Sequence, residues 1–241
     1  MATEPTIHVA PIAVFDINET TLDLAPVREA VDELLGEEGG FRVWFTRLLQ
    51  LSMTCTAINQ FIDFSTLARH AGDATAATGG RTISDEDWSS VVTAFGRLKA
   101  HPDVVDGLTA LRAGGWMTVA LTNSTTDAVT AQLTNAGIAQ LFDRILSVES
   151  VRTYKPATAP YLYASAVVGA APSRMWMVAC HDWDLAGANA AGLLTAFVRR
   201  DGMSYAPTFP EPKLNVADFG ELAERLLDED TLPAWNQSAE E

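Results

Sequence analysis

From His101-Pro102 to Val198 the sequence alternates between two hydrophobic periodicities, and few folds accommodate that alternation. Helical spacing at Asp103–Ala113 gives way to an apolar run at Trp116–Leu121. Thr126–Ala136, Ala159–Val168 and Leu185–Ala191 read as further helices, with Arg144–Ser147, Met175–Ala179 and Leu194–Val198 as strands between them. Short runs that are apolar throughout are buried on both faces, so the pattern predicts a parallel sheet with helices on both sides, an α/β fold.

One earlier strand, Ile7–Phe15, belongs to the same sheet, followed by a helix at Pro26–Leu35. From Phe41 to Ala77 the spacing is helical, with Trp44, Leu48, Leu51, Cys55 and Ile58 on one face. Ser84-Asp85-Glu86-Asp87 is a helix start with acidic residues in the first turn, leading a helix through Leu98. A helix-only block thus interrupts an alternating chain. It reads as an insertion over residues 25–98, a cap on the carboxyl edge of a core made of 1–24 and 99–227. A last helix is expected at Val216–Leu227, and an acidic, disordered tail over 228–241.

The strand ends carry polar residues of different chemistry. Val14-Phe15 delivers Asp16 and then Ile17, Asn18, Glu19 and Thr20. The next strand ends in Thr122-Asn123-Ser124, Lys155 precedes a helix N-terminus where the dipole disfavours a cation, and His181-Asp182-Trp183-Asp184 follows another strand. Each is readable alone as an ordinary turn or helix cap. Together they put Asp16, Thr122, Lys155 and Asp184 on one sheet edge, where ligands bind in open α/β sheets.

Composition narrows the partners. With 16 Lys and Arg against 31 Asp and Glu the net charge is −15. Nucleic acid and anionic membrane would both repel such a chain. The two cysteines build no disulfide framework, and neither a signal peptide nor a membrane span is evident, so a cytoplasmic location is expected. A homodimer is left open.

The four segments, their order and the helical insertion resemble the haloacid dehalogenase superfamily, and within it the type II 2-haloacid dehalogenases. The resemblance implies a Rossmann-like core, Asp16 as nucleophile, Thr122 as the hydroxyl residue, Lys155 as the cation and Asp184 as the acid of the last motif. Finer matches to the dehalogenase branch are Thr20, Asn123, Tyr161 and Trp183.

The chemistry can also be argued from the residues. An aspartate attacks only as an ionised carboxylate held in line, and Lys155 would pair with it and lower its pKa. Thr122 and Asn123 could supply donors to moving charge, and a cap would exclude water. Phosphatases of the superfamily usually carry a second Asp at the position of Asn18 and an acid at that of Cys180. An amide cannot protonate a leaving group, and Ala179-Cys180 offers magnesium no hard oxygen side chain. Asp182 could still be recruited.

Departures from the dehalogenases stand beside these matches. The cap arginine that usually follows a tryptophan is Phe45 here, after Trp44, with Arg42 and Arg47 nearby. Arg42, three residues before Phe45, shares its helix face and could reach the same pocket, or be a solvated surface residue. Ala179 and His181 replace the usual Ser and Asn, and His181 could donate, act as base or merely cap a helix. The sequence therefore predicts a hydrolase working through an aspartyl ester on a small anionic substrate, a 2-haloacid, with no metal or other cofactor. Catalysis is assigned to Asp16, Thr20, Thr122, Lys155 and Asp184. Ile17, Asn18, Arg42, Phe45, Asn123, Tyr161, His181 and Trp183 line the substrate. The alternatives are a magnesium phosphatase and a non-catalytic binding member.

Overall fold

A computed structural model describes residues 10–228. Its main sheet has six strands, all paired parallel: β1 (Ile12–Phe15), β4 (Met117–Thr122), β5 (Arg144–Ser147), β6 (Met175–Ala179), β7 (Leu194–Val198) and β8 (Leu214–Val216), in the order β5-β4-β1-β6-β7-β8. Helices α5 (Val104–Ala113), α6 (Thr126–Asn135), α7 (Thr158–Val168), α8 (Asp182–Ala190) and α9 (Phe219–Leu227) connect and cover them.

β1 is buried at every position, as a strand covered on both faces must be, and its side chains alternate between two cores. Ala13 and Phe15 enter one, where Phe15 stacks on Phe219 of α9 with ring centroids 5.4 Å apart. Ile12 and Val14 enter the other, with Tyr161 of α7 and Leu185 of α8. The chain leaves β1 toward β4 on one side and returns to β6 on the other, so the sheet's order reverses about β1. Phe15 is in register with Ala120 of β4 and Val178 of β6, so Asp16, Thr122 and Cys180 emerge side by side in the crevice that such a reversal opens.

Between β2 (Leu22–Asp23) and β3 (Lys99–Ala100) the chain is helical: α1 (Ala25–Leu35), α2 (Gly40–Ala57), α3 (Phe64–Thr78) and α4 (Asp85–Phe95). Ser84 and Asp87 form a reciprocal capping box at the start of α4. β2 and β3 pair antiparallel where this run leaves and rejoins the core.

Several boundaries differ from the sequence expectation. The helical stretch 41–77 is two helices, because Asp63 caps α3 by accepting from Thr66 N, and the Tyr154 hydroxyl bonds Ile62 O in the break. α4 ends at Phe95 rather than Leu98, and Leu98 instead enters the core ahead of β3. α8 begins at Asp182 rather than Leu185. Val216 closes a strand rather than opening the last helix, which starts at Phe219 behind an Asp218 cap. The first strand spans Ile12–Phe15, and residues 7–9 of its expected range lie outside the described residues, as does the acidic tail beyond Asp228.

Candidate active site

Asp16 extends β1 by one residue, donating its backbone N–H to Val178 O at 3.0 Å, and the residue is 6% exposed. The chain then turns sharply: Ile17 O accepts from the backbone of Thr21 and Leu22, and Thr21 Oγ1 donates to Asp16 O at 2.7 Å. This folds Thr20 back over the carboxylate, and Thr20 Oγ1 donates to Asp16 Oδ2 at 2.7 Å while accepting from Cys180 N at 3.0 Å. Arg200 fixes the turn from outside by donating to Thr20 O, with Asp103 pairing its charge.

The other Asp16 oxygen faces Lys155. Its Nζ lies 3.2 Å from Asp16 Oδ1 and 2.9 Å from Asp184 Oδ2, so one buried ammonium bridges two buried carboxylates. Burial alone would push the Lys155 pKa down, but Asp184 and Asp16 more than reverse this and hold it above the ordinary lysine value. Burial raises Asp184 from the ordinary carboxyl value, against the pull of Lys155. Tyr161 donates to Asp184 Oδ1 at 2.6 Å, and its own phenol, buried and beside that carboxylate, is held well above the usual pKa and stays protonated.

Lys155 is itself positioned by backbone. Asn123 Oδ1 accepts from Lys155 N at 3.1 Å, and the Pro156 carbonyl packs so closely on α8 that a Cβ at Gly187 would sit 2.3 Å from it. Only glycine fits there, and that close approach brings Lys155 within reach of Asp184. Thr122 Oγ1 accepts from Ser124 N at 3.1 Å, which shapes the 122–124 turn and leaves its hydroxyl proton free to donate. Asn18 donates from Nδ2 to Ser124 Oγ at 3.2 Å, and its Oδ1 is buried with no hydrogen-bond partner.

His181 closes the third side. Its Nε2 is 3.3 Å from Asn18 O, 3.7 Å from Asp16 Oδ2 and 3.6 Å from Glu19 Oε2. The ring stacks on Trp183 at 5.2 Å and faces Phe45 of α2 at 6.3 Å. Burial would lower its pKa, but Cys180, Asp16 and Glu19 outweigh that and raise it to about 10. Glu19 is a site residue that sequence reasoning missed. It is buried, held at φ 63° where a non-glycine side chain is strained, and further paired with Arg28 Nη2 at 3.6 Å. Burial raises the Glu19 pKa, partly offset by His181 and Arg28. An acid next to the predicted nucleophile, together with a histidine in the last motif, was the available signal.

The two cap arginines separate. Arg42 is exposed but acts electrostatically on Glu19, and its Nη2 reaches Gly202 at the rim. Arg47 is also exposed and donates to Gln50 on its own helix.

The model of the haloacid dehalogenase-like hydrolases matches residues 11–192. The chain belongs to that family. It is 28% identical over 219 residues to (S)-2-haloacid dehalogenase 1 of Pseudomonas sp. (strain CBS-3), covering 89% of this chain and 95% of that one. To (S)-2-haloacid dehalogenase 4A of Burkholderia cepacia it is 29% identical over 215 residues, 87% of this chain and 91% of the other. The L-2-haloacid dehalogenase of Xanthobacter autotrophicus, solved with chloropropionic acid covalently bound, has the same fold: TM-score 0.83, 23% identity, 91% of this chain and 99% of that chain covered.

Magnesium, which the phosphatase branch of the family uses, does not fit this donor set. Lys155 Nζ bridges the two carboxylates that would share an ion, and Asn18 offers only a neutral amide oxygen in place of a carboxylate. The oxygens of Asp182 accept from Trp183 N and Ala206 N. Among the described residues no group of three His, Cys, Asp or Glu side chains is arranged around a common cation position. Nor is any described helix long and apolar enough to cross a membrane.

Proposed function

We propose that this chain is a hydrolytic dehalogenase of small 2-haloacids that works through an ester on Asp16. The observation that carries the reading is Lys155 Nζ, hydrogen-bonded to both Asp16 and Asp184, which supplies the counter-charge at the sheet's crevice from within the protein. The names of the relatives support it. Residues 25–98 act as a cap on a core of 1–24 and 99–227, with Phe45 of α2 supplying the apolar wall against His181.

In the first step an Asp16 oxygen attacks C2 of the haloacid. A carbon–oxygen bond forms, the carbon–halogen bond breaks, and the halide leaves with the electron pair, inverting C2. Lys155 and Thr20 orient the carboxylate. In the second step water attacks Cγ of Asp16 and the acyl–oxygen bond breaks, so C2 keeps its inverted configuration.

His181, whose Nε2 faces both Asp16 and Glu19, is the base for that water. Esterification removes the negative charge of Asp16, which together with Cys180 and Glu19 holds the His181 pKa up, and so favours release of the imidazole proton to solvent at that stage. The imidazole then takes a proton from the attacking water and returns it to the departing 2-hydroxy acid alkoxide. The remaining acid proton of Asp16 passes to His181 and restores the imidazolium, so one proton is released to solvent per turnover. Asp184 is committed to Lys155 and Tyr161 and serves to hold them.

Incubation with (S)-2-chloropropanoate and with a generic phosphate ester, each with and without a chelator, tests the assignment. Chloride release that survives chelation, with the 2-hydroxy acid of inverted configuration, is expected. Magnesium-dependent phosphate release with no chloride would replace it with the phosphatase reading.

A further inference from the structure

Glu19 lines a polar cleft of about 420 Å³ together with Asp23, Arg28, His101 and Arg200. Its two carboxylate oxygens face different groups. Oε2 lies 3.6 Å from His181 Nε2, and Oε1 lies 3.6 Å from Nη2 of Arg28, whose side chain is 42% exposed. One side chain thus joins the buried imidazole to a cleft open to solvent. His181 has few other ways to lose a proton, because its ring stacks on Trp183 and is faced by Phe45. Nε2 meets the Asn18 carbonyl, which is too weak a base to carry a proton, and among the described residues the carboxylates beside it are Asp16 and Glu19. An ester on Asp16 takes away the first of these acceptors. Glu19 is left.

On the dehalogenase reading, on which this step rests, we infer that Glu19 carries the proton of each turnover from His181 Nε2 to solvent in the cleft beside Arg28. The imidazolium N–H bond breaks as an O–H bond forms on Glu19 Oε2, and the neutral imidazole left behind can take a proton from the attacking water. A turn of the carboxyl group then presents the proton to the cleft, where solvent removes it and the carboxylate is restored. One proton moves, and no oxidant or reductant is needed. Burial raises the Glu19 pKa and so favours the first transfer, while Arg28 favours the ionised carboxylate and so drives the second. His181, Asp16 and Arg42 are the other charges that act on it. His101 Nε2, 2.9 Å from Glu19 O, anchors the backbone so that the side chain spans the two sides.

A single turnover of (S)-2-chloropropanoate by the full chain in weak buffer tests this, with protons followed by an indicator dye and halide and 2-hydroxy acid by rapid quench. In the wild type one proton is expected with the halide and ahead of the 2-hydroxy acid. In Glu19→Gln the halide burst should remain, while proton release and 2-hydroxy acid formation both slow by roughly tenfold. Glu19→Gly suits the backbone at φ 63°, which guards against a folding defect, and should show the same delay. Formate, a carboxylate small enough for the space left, should then restore both rates saturably in Glu19→Gly, which a merely structural loss would not allow. Protons that keep pace with halide in both variants, or a delay in Glu19→Gly that formate does not relieve, would overturn the proposal alone. No halide from the wild type would overturn the dehalogenase reading and the proposal with it, so the two failures are told apart.

Discussion

The imidazole of His181 and the carboxylate of Glu19 meet at 3.6 Å, Nε2 to Oε2, both less than a tenth exposed and both beside Asp16. The Asp16 and Glu19 carboxylates face the same nitrogen, Nε2, while Glu19 is also held by Arg28 through its side chain and by His101 Nε2 through its backbone carbonyl, which fixes the positive-φ turn beside Asp16.

Replacing His181 with Asn should therefore stop the reaction after displacement. One equivalent of halide is expected to appear in a burst, followed by a steady rate roughly a hundredfold or more below wild type, with the adduct visible in the intact mass. Glu19→Gln should behave in the same direction with a smaller loss. A steady rate within a few-fold of wild type in His181→Asn would remove His181 from the second step.

The same histidine sets a pH dependence of stability. Its folded pKa of about 10 lies above the ordinary 6.5, so between these values the folded state binds the extra proton. The stability it contributes is complete below pH 6.5 and is lost as the pH rises through about 10. Denaturant unfolding from pH 6 to 10.5 checks this: stability should fall across the window, and the fall should be largely absent in His181→Gln.

Much of this was legible in the residues because it rests on strong local signals. The apolar runs at Ile12–Phe15 and Met175–Ala179 can be little else than buried strands, Asp16 and Asp184 are charges that follow them, and Lys155 is a cation ahead of a helix N-terminus. What escaped notice is set by tertiary contact. β2 and β3 have two residues each and carry no periodicity, and β8 follows a proline-rich stretch. Thr122 was of the expected type, but its partner depends on how the 122–124 turn closes. Glu19 was passed over because nothing in a linear reading says that it turns inward at φ 63°.

The cap supplies the remaining prediction about charge. Arg42 stands within electrostatic reach of Glu19, whereas Arg47 is engaged with Gln50. Arg42→Ala should raise the KM for a 2-haloacid by roughly tenfold or less, the discount reflecting its exposure, while Arg47→Ala should leave it unchanged. Steady-state kinetics on the two variants checks the difference, and equal effects would remove Arg42 from substrate capture.

The central claim is that Asp16 becomes an ester and that water opens it at the carboxyl carbon. A single turnover in ¹⁸O-enriched water, with enzyme in excess over (S)-2-chloropropanoate, tests it most directly by mass analysis of the peptide containing Asp16 and of the product. The label is expected to enter the Asp16 carboxylate, and the first 2-hydroxy acid formed to carry an unlabelled oxygen from the enzyme. Label found in the product and absent from Asp16 would mean that water attacks C2 directly, and would contradict it.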